Sequence, residues 1–133
     1  MARTVDVFFS CITSANGLLV ADESTFQCRE TVIPVHMRGL QNCDTTFDRV
    51  FADDTDHVKG FKFFPQYNDC NEIGELLAGR DPGRKSDEQR IIDYNYGLAL
   101  HDGVYASKIF EMLAYKKNVP GIEIVKETEN FWV

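Results

Sequence analysis

The feature that most constrains the fold lies almost at the start of the chain, in the apolar run Val5-Asp6-Val7-Phe8-Phe9-Ser10-Cys11-Ile12. A strand with one wet face alternates apolar and polar residues. A near-continuous run belongs to a strand covered on both faces, as in parallel sheets. The run ends in Thr13-Ser14-Ala15-Asn16-Gly17, small and polar residues suited to a loop at a strand's carboxyl end. A sheet that begins with a buried strand is unusual, since an open-sheet domain ordinarily starts with an edge or a first βα unit.

Further elements follow in the order such a sheet requires. After polar residues 22–29 comes Thr31-Val32-Ile33-Pro34-Val35-His36, a second strand to which Pro34 gives an edge or irregular role, because proline offers no ladder donor. Arg49-Val50-Phe51-Ala52 is a third strand. The acidic Asp53-Asp54-Thr55-Asp56 behind it is expected to form a solvated turn, with a cation site as the less favoured alternative. Residues 72–78 form a short helix with Ile73, Leu76 and Leu77 at helical spacing, stopped by Gly79. Asp81-Pro82-Gly83-Arg84 is a turn, and Arg90-Ile91-Ile92-Asp93-Tyr94-Asn95 a fourth strand. A long helix runs from residue 98 or 101 to 117, with Val104, Ile109, Met112 and Leu113 apolar and Lys116 and Lys117 at the end the helix dipole favours. Ile122-Glu123-Ile124-Val125 adds a short strand, and Phe131-Trp132 docks on another surface. Together these elements describe an α/β protein with an open, mostly parallel sheet and flanking helices. No repeat, low-complexity segment or linker divides residues 1–133, which are read as one domain.

Composition removes several classes of function. A net charge of -7 opposes nucleic-acid binding, and Arg80, Arg84 and Lys85, the one basic cluster, is interrupted by Asp81 and followed by Asp87 and Glu88. It is expected to be a solvated loop. Cys11, Cys28, Cys43 and Cys70 have neither CxxC spacing nor a nearby His pair, which opposes a zinc or redox site. No signal peptide or long apolar stretch opens the chain, so a cytoplasmic protein without membrane contact is expected.

From residue 72 onward the pattern becomes specific. Glu75-Leu76-Leu77-Ala78-Gly79-Arg80-Asp81-Pro82-Gly83-Arg84-Lys85-Ser86-Asp87, followed by Gly97-Leu98-Ala99-Leu100-His101-Asp102, resembles the ornithine cyclodeaminase/mu-crystallin family. That family has a helix ending in Gly, a PGR-[ST]-[DS] turn, a strand, and GLAxxD opening a long helix. Arg49-Val50-Phe51-Ala52-Asp53-Asp54 and the opening strand with Thr13-Ser14 agree more weakly. The resemblance implies a Rossmann-like domain of which this chain is the second half. It also implies NAD or NADP as cofactor, and a small amino acid or imine as substrate. The Gly-rich first half, the substrate domain and the family's substrate-side lysine would precede residue 1.

The dinucleotide fingerprint GxGxxG is formed by none of the nine glycines. The family's catalytic aspartate falls nearest Gln41, whose amide is no general acid or base near neutral pH. Asp44, three residues on, is the substitute. His36, Arg38 and Asp44 then make a proton-transfer or carboxylate-binding group on one loop, with His36 and Asp44 as catalytic candidates and Arg38 as the clamp for a substrate carboxylate. The other reading is an ordinary surface loop. Thr13 and Ser14 are placed to bind the nicotinamide ribose or amide, or else to cap their loop. Asn95 matches the family's small polar residue beside the carboxamide, and Gly97 permits close approach or makes the turn. Asp102, in the first turn of the long helix, is read as a favourable helix-end charge, and His101 as exposed or packed.

Two classes of function follow. Either the chain is part of a nicotinamide-dependent enzyme completed by another chain, or by a homodimer across the sheet edge left open, or it is a non-catalytic binding module. A truncated, non-functional product is a third possibility.

Overall fold

The computed structural model describes residues 5–12, 16–38, 40, 43–67 and 69–114. They fall into two compact units, one ending at Leu98 and the other beginning at Ala99. The first holds five strands, β1 (Val7–Ser10), β2 (Thr31–Pro34), β3 (Arg49–Ala52), β4 (Cys70–Glu72) and β5 (Ile91–Tyr94), with two short α-helices, α1 (Thr55–Val58) and α2 (Ile73–Leu77), and two 3-10 turns, Glu23–Thr25 and Phe64–Gln66. The second holds one described helix, α3 (Ala99–Ala114), with Asp102 in its first turn. The strand order is β1-β2-β5-β3-β4 and every pairing is parallel. This is the Rossmann-like open sheet with flanking helices that the element order implies.

Alternation along the strands divides the sheet into two faces. Val32, Val50, Ala52, Ile92 and Tyr94 point to one side, where Val20, Phe26, Leu40, Cys43, Phe47 and Val58 complete a single buried cluster. Thr31, Ile33, Arg49, Phe51, Ile91 and Asp93 point to the other, as their register requires.

Three local expectations are corrected. β1 is an edge strand, not a strand covered on both faces. Val7 is 49% and Phe9 61% exposed, and among the described residues only β2 pairs with β1. β2 is internal despite Pro34, whose place at the strand's last position costs the ladder little. The Pro34 carbonyl still accepts from the Asn95 N–H (3.1 Å), and the Val35 N–H donates to Ser10 O (2.8 Å). The acidic segment after β3 is structural rather than a solvated turn. The Asp54 carboxylate accepts the Asp56 N–H (2.8 Å) and caps α1, while Asp53 is buried. The basic cluster is largely the solvated loop expected: Arg80 and Lys85 are exposed, Arg80 forking onto Glu75 (2.6 and 2.7 Å) and Lys85 pairing with Asp69, while Arg84 is half-buried and donates to Thr31 Oγ1 (2.7 Å).

The helix expected over 72–78 is α2, one residue shorter at each end. Glu72 instead closes β4, a three-residue strand too short to show a period. Residues 115–117 of the expected long helix, the 122–125 strand and Phe131-Trp132 lie outside the described residues.

Gly79 and Gly83 both have left-handed backbones (φ +72° and +74°), but only at Gly83 would an added Cβ meet a neighbour, Leu76 Cδ1 at 2.9 Å. Gly83→Ala is therefore expected to lower stability by about 1–2 kcal/mol. Gly79→Ala should cost about 1 kcal/mol from backbone strain alone. Urea midpoints of the two variants compared with the parent measure the difference.

Candidate functional site

A parallel sheet presents all its strands' carboxyl ends along one edge, where open α/β folds place ligands. Here that edge gathers polar side chains from β1, β2, β3 and β5. Ser10, the last residue of β1, is 5% exposed and its Oγ lies 2.8 Å from His36 Nε2, just beyond β2. Burial holds the His36 imidazole below its ordinary pKa, and the Arg38 charge lowers it further. Asp44 and a backbone hydrogen bond act the other way. His36 is accordingly a neutral imidazole near pH 7, a form that can take a proton.

Asp44 is buried and its Oδ1 accepts two hydrogen bonds, from the Leu40 N–H (2.6 Å) and from the Tyr94 hydroxyl (2.7 Å). The Tyr67 hydroxyl lies 3.1 Å from that of Tyr94, with the two rings stacked at 6.0 Å. Burial raises the Tyr94 phenol far above its ordinary range, and the Asp44 charge adds to the shift. Tyr94 therefore stays protonated and donates to Asp44, which leaves Tyr67 to donate to Tyr94.

Arg38 and Asp44 line a pocket of about 500 Å³ together with Met37, Gly60, Phe61, Lys62 and Phe63. Phe61 fixes one wall, packing edge-on against Tyr94 at 5.4 Å. The pocket offers a guanidinium and an ammonium to an anion and a carboxylate to a cation, beside aromatic rings. That combination suits a small zwitterion.

Asn95 and Gly97 occupy the turn after β5. Gly97 adopts φ +89° and its N–H donates to Asp53 Oδ2 (2.6 Å). Asp53 Oδ1 also accepts the Asp54 N–H (2.8 Å) and lies 3.3 Å from His57 Nδ1. Asp53 thus ties the end of β3 to the turn beyond β5. An added Cβ at Gly97 would meet nothing within 4 Å, so what requires glycine there is backbone conformation.

Of the residues singled out from sequence, the fold brings Arg38 and Asp44 into one pocket, sets His36 against Ser10, and places Asn95 and Gly97 in one turn. Thr13, Ser14 and Gln41 lie outside the described residues. Sequence reasoning missed Ser10, Asp53, Lys62 and the Tyr67–Tyr94 pair. The signal for Lys62 was its place in Phe61-Lys62-Phe63-Phe64, a cation within an aromatic run. Among the described residues, no three metal-ligating side chains gather and no helix is long and apolar enough to cross a membrane.

Superposition on a crystal structure of a probable ornithine cyclodeaminase from Bordetella pertussis Tohama I gives a TM-score of 0.72 over 91% of this chain, at 16% identity. The fold is ornithine cyclodeaminase-like. In sequence the chain is similar to the nodulation efficiency protein NfeD of Rhizobium meliloti, with 32% identity over 122 residues and 83% of this chain. No protein-family model matches it. The chain spans 36% of NfeD and 43% of the Bordetella protein.

Proposed function

We propose that this chain is the second half of a nicotinamide-binding domain in an ornithine cyclodeaminase-like enzyme of amino acids or imines. On this reading the Gly-rich first half and the substrate domain come from elsewhere in a longer protein or from a complementing chain. The observation that carries the reading is the incomplete sheet. Among the described residues β1 is apolar and unpaired along its outer edge, with Val5, Val7 and Phe9 exposed, and a bare apolar edge of this kind is ordinarily covered. That edge would be covered by the missing strands or by a second copy.

The residues present fit the nicotinamide end of a dinucleotide and not its pyrophosphate. Asn95, half-buried in the turn after β5, can both donate to and accept from a carboxamide. Nothing in the sequence supplies the glycine-rich cradle for the phosphates. The bound cofactor would supply hydride exchange. Arg38 and Lys62 would hold the substrate carboxylate, Asp44 its amino group, and the neutral His36, steadied by Ser10, would exchange a proton. Thr13 and Ser14, beyond the end of β1, would contribute hydroxyls to the nicotinamide ribose. A soluble cytoplasmic location fits this chemistry.

Calorimetry with NADH and NADPH tests the proposal. The chain alone should bind neither at millimolar cofactor. A chimera in which this chain replaces the matching segment of the Bordetella protein should bind one of them at micromolar concentration. A folded chimera that leaves both cofactors unbound would overturn the enzyme reading in favour of a non-catalytic module.

A further inference from the structure

The face of the sheet opposite the core cluster carries a second cavity, of about 490 Å³, within the range of roughly 300–1,000 Å³ usual for small-molecule sites. Its walls include Ile33, Phe51, Leu76, Pro82 and Ile91, and Asp93 lines it from the middle of β5. Neighbouring residues on a strand point to opposite faces, so Asp93 and Tyr94 serve different sides of the sheet. This cavity is separate from the pocket of Arg38 and Asp44.

Asp93 is only 8% exposed, and its Oδ1 is buried without a hydrogen-bond partner. Buried carboxylates are ordinarily met by donors or a counter-charge. The charged groups nearby do not provide one. Arg84, the cation among the lining residues, is committed to Thr31 Oγ1 and the Gln89 carbonyl. Arg49, on the same face, is held by Asp81 and the Gly83 carbonyl. Asp53 has the same sign as Asp93.

We propose that this cavity binds a small apolar primary ammonium compound, its charged head on the Asp93 carboxylate and its hydrocarbon body against Phe51, Ile33 and Leu76. The lining explains the choice. An anion would face an uncompensated carboxylate, a strongly hydrated polycation would lose water against an apolar wall, and an alkylammonium matches both halves of the site. Burial, reinforced by the Asp53 charge, raises the Asp93 carboxyl to about 6. The head group would therefore be held above that pH and released below it.

The test is calorimetric titration of the full chain with n-hexylammonium at pH 7.5, with n-hexanol and n-hexanoate as matched neutral and anionic probes. Saturable ammonium binding is expected, at least about tenfold tighter than for either control. Affinity should fall about tenfold between pH 7.5 and pH 5, as Asp93 takes up a proton while the ligand keeps its charge. Asp93→Asn should lose the preference for ammonium over alcohol. Leu76→Trp, which fills the cavity and leaves the carboxylate in place, should abolish binding of both. Circular dichroism of each variant establishes that it is folded. Equal affinity for hexanol, an unchanged preference in Asp93→Asn, or no saturable binding by the parent chain would overturn the proposal.

Discussion

Replacing Arg49 with Leu is expected to lower the unfolding free energy by about 3–5 kcal/mol, enough to leave a domain of ordinary stability marginal. Arg49 is 1% exposed in β3, between β5 and β4. Its guanidinium pairs with Asp81 and donates to the Gly83 carbonyl, with Asp69 at 3.6 Å and the Phe51 ring 4.8 Å away. Asp81 in turn accepts from the Gly83 N–H (2.7 Å) and Asn71 Nδ2 (2.9 Å). One side chain thus locks β3 and β4 to the turn after α2. A leucine fills part of the volume but leaves the buried Asp81 carboxylate without its counter-charge and the Gly83 carbonyl without its donor, and that makes the loss large. Arg49→Lys keeps the charge without the planar fork and should lose about half as much. The Gly83 amide, then Asn71 and Arg49, hold the Asp81 carboxyl below its ordinary range against the opposing effect of burial. Its contribution is therefore present above the unfolded carboxyl pKa and is lost as pH falls through the depressed one. Guanidinium denaturation of the three proteins at pH 7 checks the ranking. A loss under about 1 kcal/mol for Arg49→Leu would mean the lock contributes little.

The same arginine marks where the sequence could be read and where it could not. Arg49-Val50-Phe51-Ala52 was legible as a strand because three apolar residues outweigh one charge. Nothing local revealed that the charge points inward, because its partner lies thirty-two residues on, in a turn that charge counting assigns to solvent. Long-range pairing is the general source of the gaps. β4 is defined by its register with β3 alone, from Val50 opposite Cys70 to Ala52 opposite Glu72. Pro34 argues against an internal strand when only its missing N–H is counted, and sits in one because it is the last residue. The apolar run at residues 5–12 was legible as a strand but its exposure was not, since among the described residues only β2 pairs with it and Val7 and Phe9 stay exposed. At the candidate site, Asp44 was singled out through the family resemblance and Arg38 from the loop they share, and the fold lines one pocket with both. Lys62, a cation within an aromatic run, could be noticed in the sequence, but only the fold returns it to that pocket.

Asp44→Ala should cost about 2–4 kcal/mol, the second of the large effects, for a reason distinct from charge pairing. The carboxylate satisfies two buried donors at once, the Leu40 amide and the Tyr94 hydroxyl, and alanine satisfies neither. Asp44→Asn retains an oxygen that can accept from both and should cost under about 1.5 kcal/mol. Tyr94→Phe removes one donor and leaves Tyr67 without its acceptor, a loss of about 1–2 kcal/mol. If Tyr94 and Asp44 act through one hydrogen bond, the double variant Asp44→Ala/Tyr94→Phe loses less than the sum of the single losses, by about 1 kcal/mol or more. Burial and the Asp44 charge keep the Tyr94 phenol protonated well above neutrality, so this coupling should be the same at pH 6.5 and pH 9. Additive losses would mean that Asp44 holds only its own loop, leaving the tyrosine pair to pack as rings. A coupling that vanished at pH 9 would mean that Tyr94 ionises there, and that the proton between it and Asp44 is far more mobile than its burial implies.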